Sequence, residues 1–398
     1  MPTIKRRFYL YEMNRRNFSK KFGIITILSA LGFGKSSNAQ GKKKNPYPHR
    51  NDDKFIEPSL SDKKSATIVL VGDTQRYSND SVFQSVCDMI YAWIAKKRDY
   101  LNIKTALFTG DLVENNNYPN VKIGGAFGDG ELNSDGQWKY VDTVFKKLDG
   151  KVPYIISPGN HEYGIKCFEN RDTRFTKVFT KDRNPLTKGI LVEMFPNAYG
   201  EQTLENACYK VDLGNAWGEV IIFAIEFCPR DVVLDWVKQK CQKDFADKKV
   251  FLLLHDFLKM NGERTGLPNF PRKYVVMHNQ PDKNGGQTVW EKLVKKVPNI
   301  RLVLCGHTGG RTTSIDDNSK TIFEKNDFGK DVVQMVFAQH GRAHDGHGAN
   351  GWLRTLEFLP DGKTVKVMTF SPYLFFSLDT KVQSCPRNPN NHFTFVIE

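Results

Sequence analysis

The sequence predicts a sheet-rich α/β fold in which the C-terminal part completes a second sheet. From Ala66 onward, short apolar runs alternate with amphipathic stretches, as in proteins that cover a sheet with helices. After Val332 the helical stretches stop and only strand-like segments follow. The chain has 398 residues, of which 39% are hydrophobic and 26% charged. This globular composition excludes a fully disordered or fibrous chain.

The elements of the first part follow from periodicity. Apolar runs predict buried strands at residues 66–71, 105–109, 152–156, 220–225, 250–254 and 301–304. Apolar residues at helical spacing predict helices at residues 80–97, 137–148, 230–245 and 290–297. Residues 165–205 lack periodicity, and we interpret them as an irregular insertion over a site.

The C-terminal part predicts strands at residues 333–338, 352–358 and 365–370, with one more at 392–397. The second and third of these are separated by Asp361-Gly362, which favours a hairpin turn. Trp352 is expected in the core. No two cysteines have CxxC spacing among the seven, which argues against zinc-knuckle and thioredoxin-type functions.

The net charge of +14 is concentrated at the N-terminus. Residues 1–54 hold 13 Lys and Arg against the three acidic residues Glu12, Asp52 and Asp53. No basic stripe with interleaved aromatic residues follows in the remaining chain. The basic composition therefore does not predict a nucleic-acid-binding protein.

The first 40 residues have the pattern of an export signal. Arg15-Arg16 and Phe18 precede the apolar stretch Phe22–Phe33, and small and polar residues end at Ala39-Gln40. The paired arginines resemble a twin-arginine signal, which implies the twin-arginine export machinery as a partner and a periplasmic or secreted location. The stretch is too short for a stable membrane span, although an uncleaved interfacial anchor is an alternative. We predict an export signal at 1–40, a linker at 41–62 and one domain at 63–398.

Polar side chains follow successive predicted strands at their carboxyl ends. They are Asp73, Asp111, Asn160 with His161, His255 and His307. Any one of them is explained by helix capping, but five in order are not. Ligands gather beyond the carboxyl ends of strands in α/β sheets. Carboxylate, amide and imidazole groups together predict a divalent metal site.

These residues lie in the motifs GDTQ, GDLVEN, GNHE, LLLHD and GHTGG. In this order the motifs resemble those of the calcineurin-like metallophosphoesterase superfamily, in particular an exported bacterial branch whose first motif is Asp-Thr-Gln. The resemblance covers residues 66 to about 311. It implies a four-layer α/β sandwich with two packed β-sheets flanked by helices. It also implies an exported phosphoesterase that hydrolyses a phosphate mono- or diester by metal-bound hydroxide.

The resemblance also implies roles for individual residues. Asp73 belongs to a first metal ion and Asp111 bridges two ions. Asn160, His255 and His307 complete the second site. His161 faces the substrate as a general acid or as a charge stabiliser at the leaving oxygen.

Two positions depart from the family pattern. Gln75 stands where the first motif usually has His, and Gly309 stands where the last motif has its second His. Both losses concern the first metal, whose remaining ligands are oxygens. Oxygen ligands favour Mg, Mn or Ca over Zn, whereas the second site suits Zn, Fe or Mn. We expect two divalent ions (Mn, Fe, Zn or Mg), with the first site weak.

Several residues have two interpretations at this stage. Arg76 and Arg311 are candidate phosphate contacts, with surface salt bridges as the alternative. Glu162 either orients His161 or caps the backbone. His340, His344, Asp345 and His347 could replace the lost ligand, although their Gly-rich context favours a loop.

Alternatives to the hydrolase remain open. The loss of two His ligands motivates a non-catalytic mononuclear metal protein that binds a phosphorylated or sugar ligand. A protein Ser/Thr phosphatase is a third possibility. The sequence does not choose between mono- and diesters or among classes of phosphate ester.

Overall fold

A computed structural model describes residues 57–117, 131–165, 167–267, 282–309, 315–339 and 350–398. The predicted export signal, most of the predicted linker, Arg311 and the His-containing segment 340–349 lie outside the described residues. The domain boundaries, the export signal and the role of Arg311 therefore stay predictions.

The first of two sheets has six strands in the order β13-β12-β11-β1-β2-β3. Its strands are β1 (Ala66–Val71), β2 (Ile103–Phe108), β3 (Tyr154–Ile156), β11 (Leu353–Phe358), β12 (Thr364–Phe370) and β13 (His392–Val396). The strands β1, β2 and β3 are parallel, so their carboxyl ends share one edge. The C-terminal strands pair antiparallel beside β1.

The second sheet has seven strands in the order β4-β5-β6-β7-β8-β10-β9. Its strands are β4 (Leu191–Pro196), β5 (Gln202–Asp212), β6 (Glu219–Ala224), β7 (Val250–Leu253), β8 (Ile300–Cys305), β9 (Ser319–Lys325) and β10 (Asp331–Phe337). Here β6, β7, β8 and β10 are parallel. The ends of β7 and β8 therefore also lie at a common edge.

The described helices are short to medium in length. They are α1 (Gln75–Asn79), α2 (Ser81–Lys97), α3 (Ser134–Phe145), α4 (Phe175–Val178), α5 (Pro185–Ile190), α6 (Asp231–Lys243), α7 (Gly286–Lys292) and α8 (Pro372–Phe375). Asp80 caps α2, since its carboxylate accepts a hydrogen bond of 3.1 Å from the Val82 amide. In the parts of the chain that are described, no helix is long and apolar enough to cross a membrane.

Two buried clusters explain the layers. The larger cluster joins the facing sides of both sheets to α2 and α3, and the stacked rings of Phe251 and Phe358, 5.7 Å apart, connect β7 to β11. The smaller cluster packs α6 and α7 on the other side of the second sheet. The order helix, sheet, sheet, helix confirms the predicted sandwich with two packed β-sheets. Trp352 is buried, as expected.

The prediction for the C-terminal strands was wrong in one respect. The hairpin formed by β11 and β12, which turns at Asp361-Gly362 as predicted, joins the first sheet rather than the second. Its position next to β1 depends on the long-range pairing of Leu356 with Ile68. Local pattern contains no information on which sheet a strand joins.

The prediction of an irregular insertion at residues 165–205 was also wrong. This segment contains α4, α5, β4 and the start of β5, and the two strands extend the second sheet. The apolar alternation of β5 is hidden because Glu205 and Asn206 are buried. Their polar groups are satisfied, Glu205 by Asn197 at 2.9 Å and Asn206 by Glu226 at 2.9 Å.

Candidate metal centre

The candidate site lies where the carboxyl ends of strands from both sheets meet. Asp73, Asp111 and Asn160 follow β1, β2 and β3 of the first sheet. His255 and His307 follow β7 and β8 of the second sheet. All five sequence-predicted ligands that follow strands are thus brought to one place between the sheets.

The imidazole of His255 is at the centre of the closest contacts. Its Nε2 atom lies 3.2 Å from Asp111 Oδ2, 3.1 Å from Asn160 Oδ1 and 3.1 Å from His307 Nδ1. Among the described residues, Asp111, His255 and His307 have ligand atoms within 4.8 Å of one another, as in a metal site. A carboxylate oxygen and two imidazole nitrogens at these distances form a donor set suited to one divalent cation.

The orientation of the His255 ring is fixed by a hydrogen bond on the side away from the other ligands. Its Nδ1 atom is 2.7 Å from the Thr109 carbonyl oxygen, so Nδ1 carries the hydrogen and donates it. When the ring is neutral, the lone pair of Nε2 therefore faces Asp111, Asn160 and His307. Carbonyl groups orient metal-binding imidazoles in this way in many proteins.

The other part of the site contains only oxygen ligands. Asp73 is buried and accepts hydrogen bonds from the Thr109 hydroxyl at 3.0 Å and from the His307 amide at 2.9 Å. Gln75 donates from Nε2 to Asp111 Oδ2 at 3.2 Å. Within the described part of the chain, the buried Oε1 atom of Gln75 has no hydrogen-bond donor. An unsatisfied buried carbonyl beside two carboxylates fits the coordination of a hard cation.

Two glycines permit this convergence. A Cβ atom at Gly159 would lie 2.2 Å from Asp111 Oδ1, and one at Gly306 would lie 2.1 Å from Asp73 Oδ1. Either side chain would displace a carboxylate. The glycines in GNHE and GHTGG are therefore required by the close approach of the site carboxylates.

Glu162 holds the loops that carry the ligands. Its buried carboxylate accepts hydrogen bonds of 2.7 Å from the amides of Asp111, Leu112 and Gly159. Asp111 itself has a left-handed φ of 51°, which such bonds stabilise. Of the two roles considered for Glu162, the structure assigns it the backbone one.

Burial and neighbouring charge shift the pKa values of the ligands. Burial alone raises the pKa of Asp111, but the His255 and His161 imidazoles outweigh it and hold that pKa well below its usual range. Burial alone lowers the pKa of His255, but the Asp111 carboxylate outweighs it and raises the pKa to about 9. Burial lowers the pKa of His307. The Asp111 carboxylate is therefore ionised and available to a cation at neutral pH.

His161 lies at the edge of the cluster, with 13% of its side chain exposed. Its Nδ1 atom is 2.7 Å from the Glu114 carbonyl oxygen, and its Nε2 atom is 3.9 Å from Asp111 Oδ2. Burial lowers the pKa of His161, but Cys167, Asp111 and Glu114 together raise it well above its usual value. The Nε2–H group therefore points toward the metal ligands without being one of them.

Arg76 lies beside this edge. Its Nε atom is 3.6 Å from Glu114 Oε2, and 30% of its side chain is exposed. The contact matches the salt-bridge alternative and leaves part of the side chain exposed to solvent. A phosphate contact by Arg76 stays a prediction.

Sequence reasoning missed two contributors. Thr109 holds both Asp73 and His255, and its place directly before Gly110-Asp111 was the available signal. The Cys167 sulfur is 3.3 Å from His161 Nδ1, and Cys167 has a left-handed φ of 60°. No sequence pattern indicated this contact, because it depends on the folding of the loop after GNHE.

Residues 66–310 match the model of the calcineurin-like phosphoesterase family. The match covers more than half of the chain and includes every ligand described above. The protein belongs to this family, which is the class that the two-sheet fold and its site define.

Individual relatives are distant. The chain is 26% identical over 326 residues to the uncharacterized protein YvnB of Bacillus subtilis, and the match covers 80% of this chain but 21% of YvnB. Among solved structures, a dimetal phosphatase from Danio rerio aligns with a TM-score of 0.44 at 10% identity, covering 84% of this chain and 99% of the other. The protein GAP50, described as the anchor in the inner membrane complex of Plasmodium, aligns with a TM-score of 0.42 at 11% identity, covering 84% and 89%. PhoD aligns with a TM-score of 0.40 at 9% identity, covering 81% and 71%.

Proposed function

We propose that this protein is an exported metal-dependent phosphoesterase that hydrolyses a phosphate mono- or diester. The observation that carries the proposal is the convergence of Asp111, Asn160, His255 and His307 around one point, with contacts of about 3 Å to His255 Nε2. Membership of the phosphoesterase family supports the reaction class.

The ligands divide between two ions. Asn160, His255 and His307 would hold one ion, Asp73 and Gln75 would hold the other, and the Asp111 carboxylate would be available to either. The unsatisfied Gln75 Oε1 atom supports a ligand role for this side chain in place of the usual histidine. Divalent metal, when bound, supplies Lewis acidity and an acidified water as nucleophile.

The role proposed for His161 is proton donation to the leaving oxygen. The Glu114 carbonyl accepts from Nδ1 at 2.7 Å, which leaves Nε2–H directed at the site. Burial lowers the pKa of His161, but Cys167, Asp111 and Glu114 raise it overall, which favours the protonated form that a proton donor needs. Arg76, together with Arg311, is proposed to contact the phosphoryl oxygens.

The second candidate function is a mononuclear metal protein that binds, without hydrolysing, a phosphorylated or sugar ligand. Gln75 and Gly309 motivate it, since both stand at positions where the family has histidine. The two functions differ in the number of ions bound and in turnover.

The deciding experiment uses residues 41–398 loaded separately with Mn, Zn, Fe and Mg. Bound metal per chain is measured by elemental analysis, and the same samples are assayed on aryl phosphate mono- and diesters. Two ions with metal-dependent turnover are expected. One ion with no turnover under any condition would favour the binding protein.

Export is a separate part of the proposal and rests on the Arg15-Arg16 motif and the apolar stretch that follows it. A bacterial host that expresses the full chain should yield a shortened protein outside the cytoplasm. Replacing both arginines by lysine should retain the full-length form in the cytoplasm, and unchanged export of that variant would contradict the twin-arginine route.

A further inference from the structure

The loop between β6 and α6 places the ring of Phe227 against both histidine ligands. The centroid of this ring lies 5.6 Å from that of His255 and 5.7 Å from that of His307, and the ring planes are inclined by 62° and 47°. The two imidazoles are themselves 4.9 Å apart and inclined by 72°. Tilted aromatic rings attract one another at centroid separations of about 4.5–7 Å. The three rings therefore form one cluster, in which two rings carry nitrogen ligands and the third is purely apolar.

The Phe227 ring is itself enclosed by other side chains. It is 1% exposed, and it also packs against fully buried Phe168, whose centroid is 4.6 Å away at an interplanar angle of 80°. Phe168 in turn packs against Tyr163 at 5.5 Å and beneath the Arg171 guanidinium at 5.1 Å. Close-packed neighbours restrict a buried ring to one orientation. Phe227 therefore offers the two imidazoles a fixed surface.

The backbone that carries Phe227 is held by a buried ion pair. Arg171, which lies in the loop after GNHE, donates to the carbonyl oxygens of Phe227 at 3.2 Å and Cys228 at 2.8 Å. Its Nη1 atom is 3.3 Å from Glu226 Oε1, and the Arg230 Nε atom is 2.8 Å from the same oxygen. Charges that are buried and paired in this way are costly to separate. The position of the ring relative to the ligands is therefore fixed by the fold.

The contacts of Phe227 supply a restraint that the hydrogen bond of His255 does not. The bond from Nδ1 to the Thr109 carbonyl fixes one atom of the His255 ring, whereas packing against the ring fixes its plane. His255 Nε2 and His307 Nδ1 are 3.1 Å apart, so a rotation of either ring would move a nitrogen away from their common point. An apolar ring beside the ligands also restricts the access of water, which strengthens the attraction between a cation and its ligands.

From these contacts we infer that Phe227 is a positioning residue of the metal centre. It binds no metal itself and acts through His255 and His307, whose ring planes it holds so that both nitrogens face one cation. Loss of the ring should weaken metal binding and change the coordination geometry, and it should do so more than an equal loss of packing elsewhere. The inference rests on the ligand roles given to these histidines in the proposed function, but it does not depend on the hydrolysis of an ester.

The test uses zinc and cobalt as probes of the full chain. Phe227→Leu and Phe227→Met each keep an apolar side chain and remove the ring, and two variants are made in case one does not fold. The dissociation constant of the tighter zinc ion, measured by competition with a chromophoric chelator, should rise about tenfold in each variant. The visible absorption of bound Co(II), which reports the number and arrangement of its ligands, should change in position or intensity.

Phe223→Leu is the matched control. Phe223 is fully buried in β6, four residues before Phe227, and its ring packs against Trp236 at 5.1 Å and Phe245 at 6.3 Å, in the smaller buried cluster. Its replacement should lower the unfolding temperature of the metal-free protein about as much as Phe227→Leu, because both variants lose a buried ring. Zinc affinity and the Co(II) spectrum of this control should stay those of the wild type.

Unchanged zinc affinity and an unchanged Co(II) spectrum in the Phe227 variants would overturn the inference and leave the phosphoesterase proposal standing. An equal loss of affinity in Phe223→Leu would also overturn it, because the effect would then arise from packing in general. A selective loss in the Phe227 variants of a protein that hydrolyses no ester would support the positioning role while the proposed reaction fails. If the wild type binds neither ion, both the positioning role and the metal centre of the proposed function are overturned.

Discussion

The two halves of the metal centre are built from different chemistry. The oxygen half consists of Asp73 and Gln75, and the imidazole half consists of Asn160, His255 and His307, with Asp111 between them. In the imidazole half the tautomer of His255 is fixed by a 2.7 Å hydrogen bond to Thr109. In the oxygen half the Gln75 Oε1 atom has no donor among the described residues.

We infer from this difference in donor atoms that the two halves would bind metal with unequal affinity. Imidazole nitrogens bind Zn and Fe strongly, whereas carboxylate and amide oxygens prefer Mg, Mn or Ca and release them more readily. We therefore expect the imidazole half to keep its ion and the oxygen half to exchange its ion.

Asp111→Asn should disable both halves at once. Loss of the shared carboxylate removes the main charge that balances the cations, so bound metal should fall from two ions to fewer than one per chain. Turnover of an aryl phosphate should fall by about 1,000-fold. Elemental analysis and steady-state kinetics measure these effects.

Asp99→Asn, at an exposed position remote from the site, is the control and should keep metal and activity. If Asp111→Asn binds two ions as tightly as the wild type, Asp111 does not connect the two halves.

His161→Ala should leave metal bound in both halves and still slow the reaction. Removing the proton donor should lower kcat for an alkyl phosphate by about 100-fold or more. The effect should be smaller for p-nitrophenyl phosphate, whose leaving group departs without a proton. Equal losses on the two esters would show that His161 does not donate to the leaving oxygen.

Gln75→His should make the metal affinities of the two halves more alike. An imidazole at this position should raise zinc affinity of the oxygen half by about tenfold, while Gln75→Ala should lower the affinity for Mn by about the same factor. Calorimetric titration of the metal-depleted variants measures both changes. Unchanged affinity in both variants would exclude Gln75 as a ligand.

Stepwise removal of metal should give the smallest effect and should occur in two stages. A weak chelator should remove the ion of the oxygen half and lower the unfolding temperature by about 2–4 °C, and a strong chelator should then remove the second ion with a larger decrease. Elemental analysis at each stage assigns the loss. A single stage that removes both ions together would contradict the expected difference in metal affinity between the two halves.

Much of the fold could be predicted from the sequence because buried parallel strands have continuous apolar runs. The prediction at residues 66–71 agrees with β1, and that at 80–97 differs from α2 by one residue. The strands β4, β5 and β9 were missed. Glu205 and Asn206 interrupt the pattern of β5 because they pair with other buried polar groups, and β9 is only partly buried at a sheet edge.

The site was predictable to a different extent. The identity and order of Asp73, Asp111, Asn160, His161, His255 and His307 were evident, since each follows an apolar strand. The distances between these residues in the folded protein were not evident from the sequence. The contacts of Cys167 with His161 and of Thr109 with two ligands became visible only when the loops were placed.

The available chemistry was already present in the sequence, which specifies the donor atoms that follow each strand and the glycines that let the backbone approach. The position of the C-terminal hairpin beside β1 and the contacts of His255 Nε2 with Asp111 and Asn160 depend on the folded chain. Separation along the chain explains this division. Strand and helix patterns arise from neighbours a few residues apart, whereas sheet pairing and ligand convergence join residues that are distant in the chain, such as Asn160 and His255 at a separation of 95 positions.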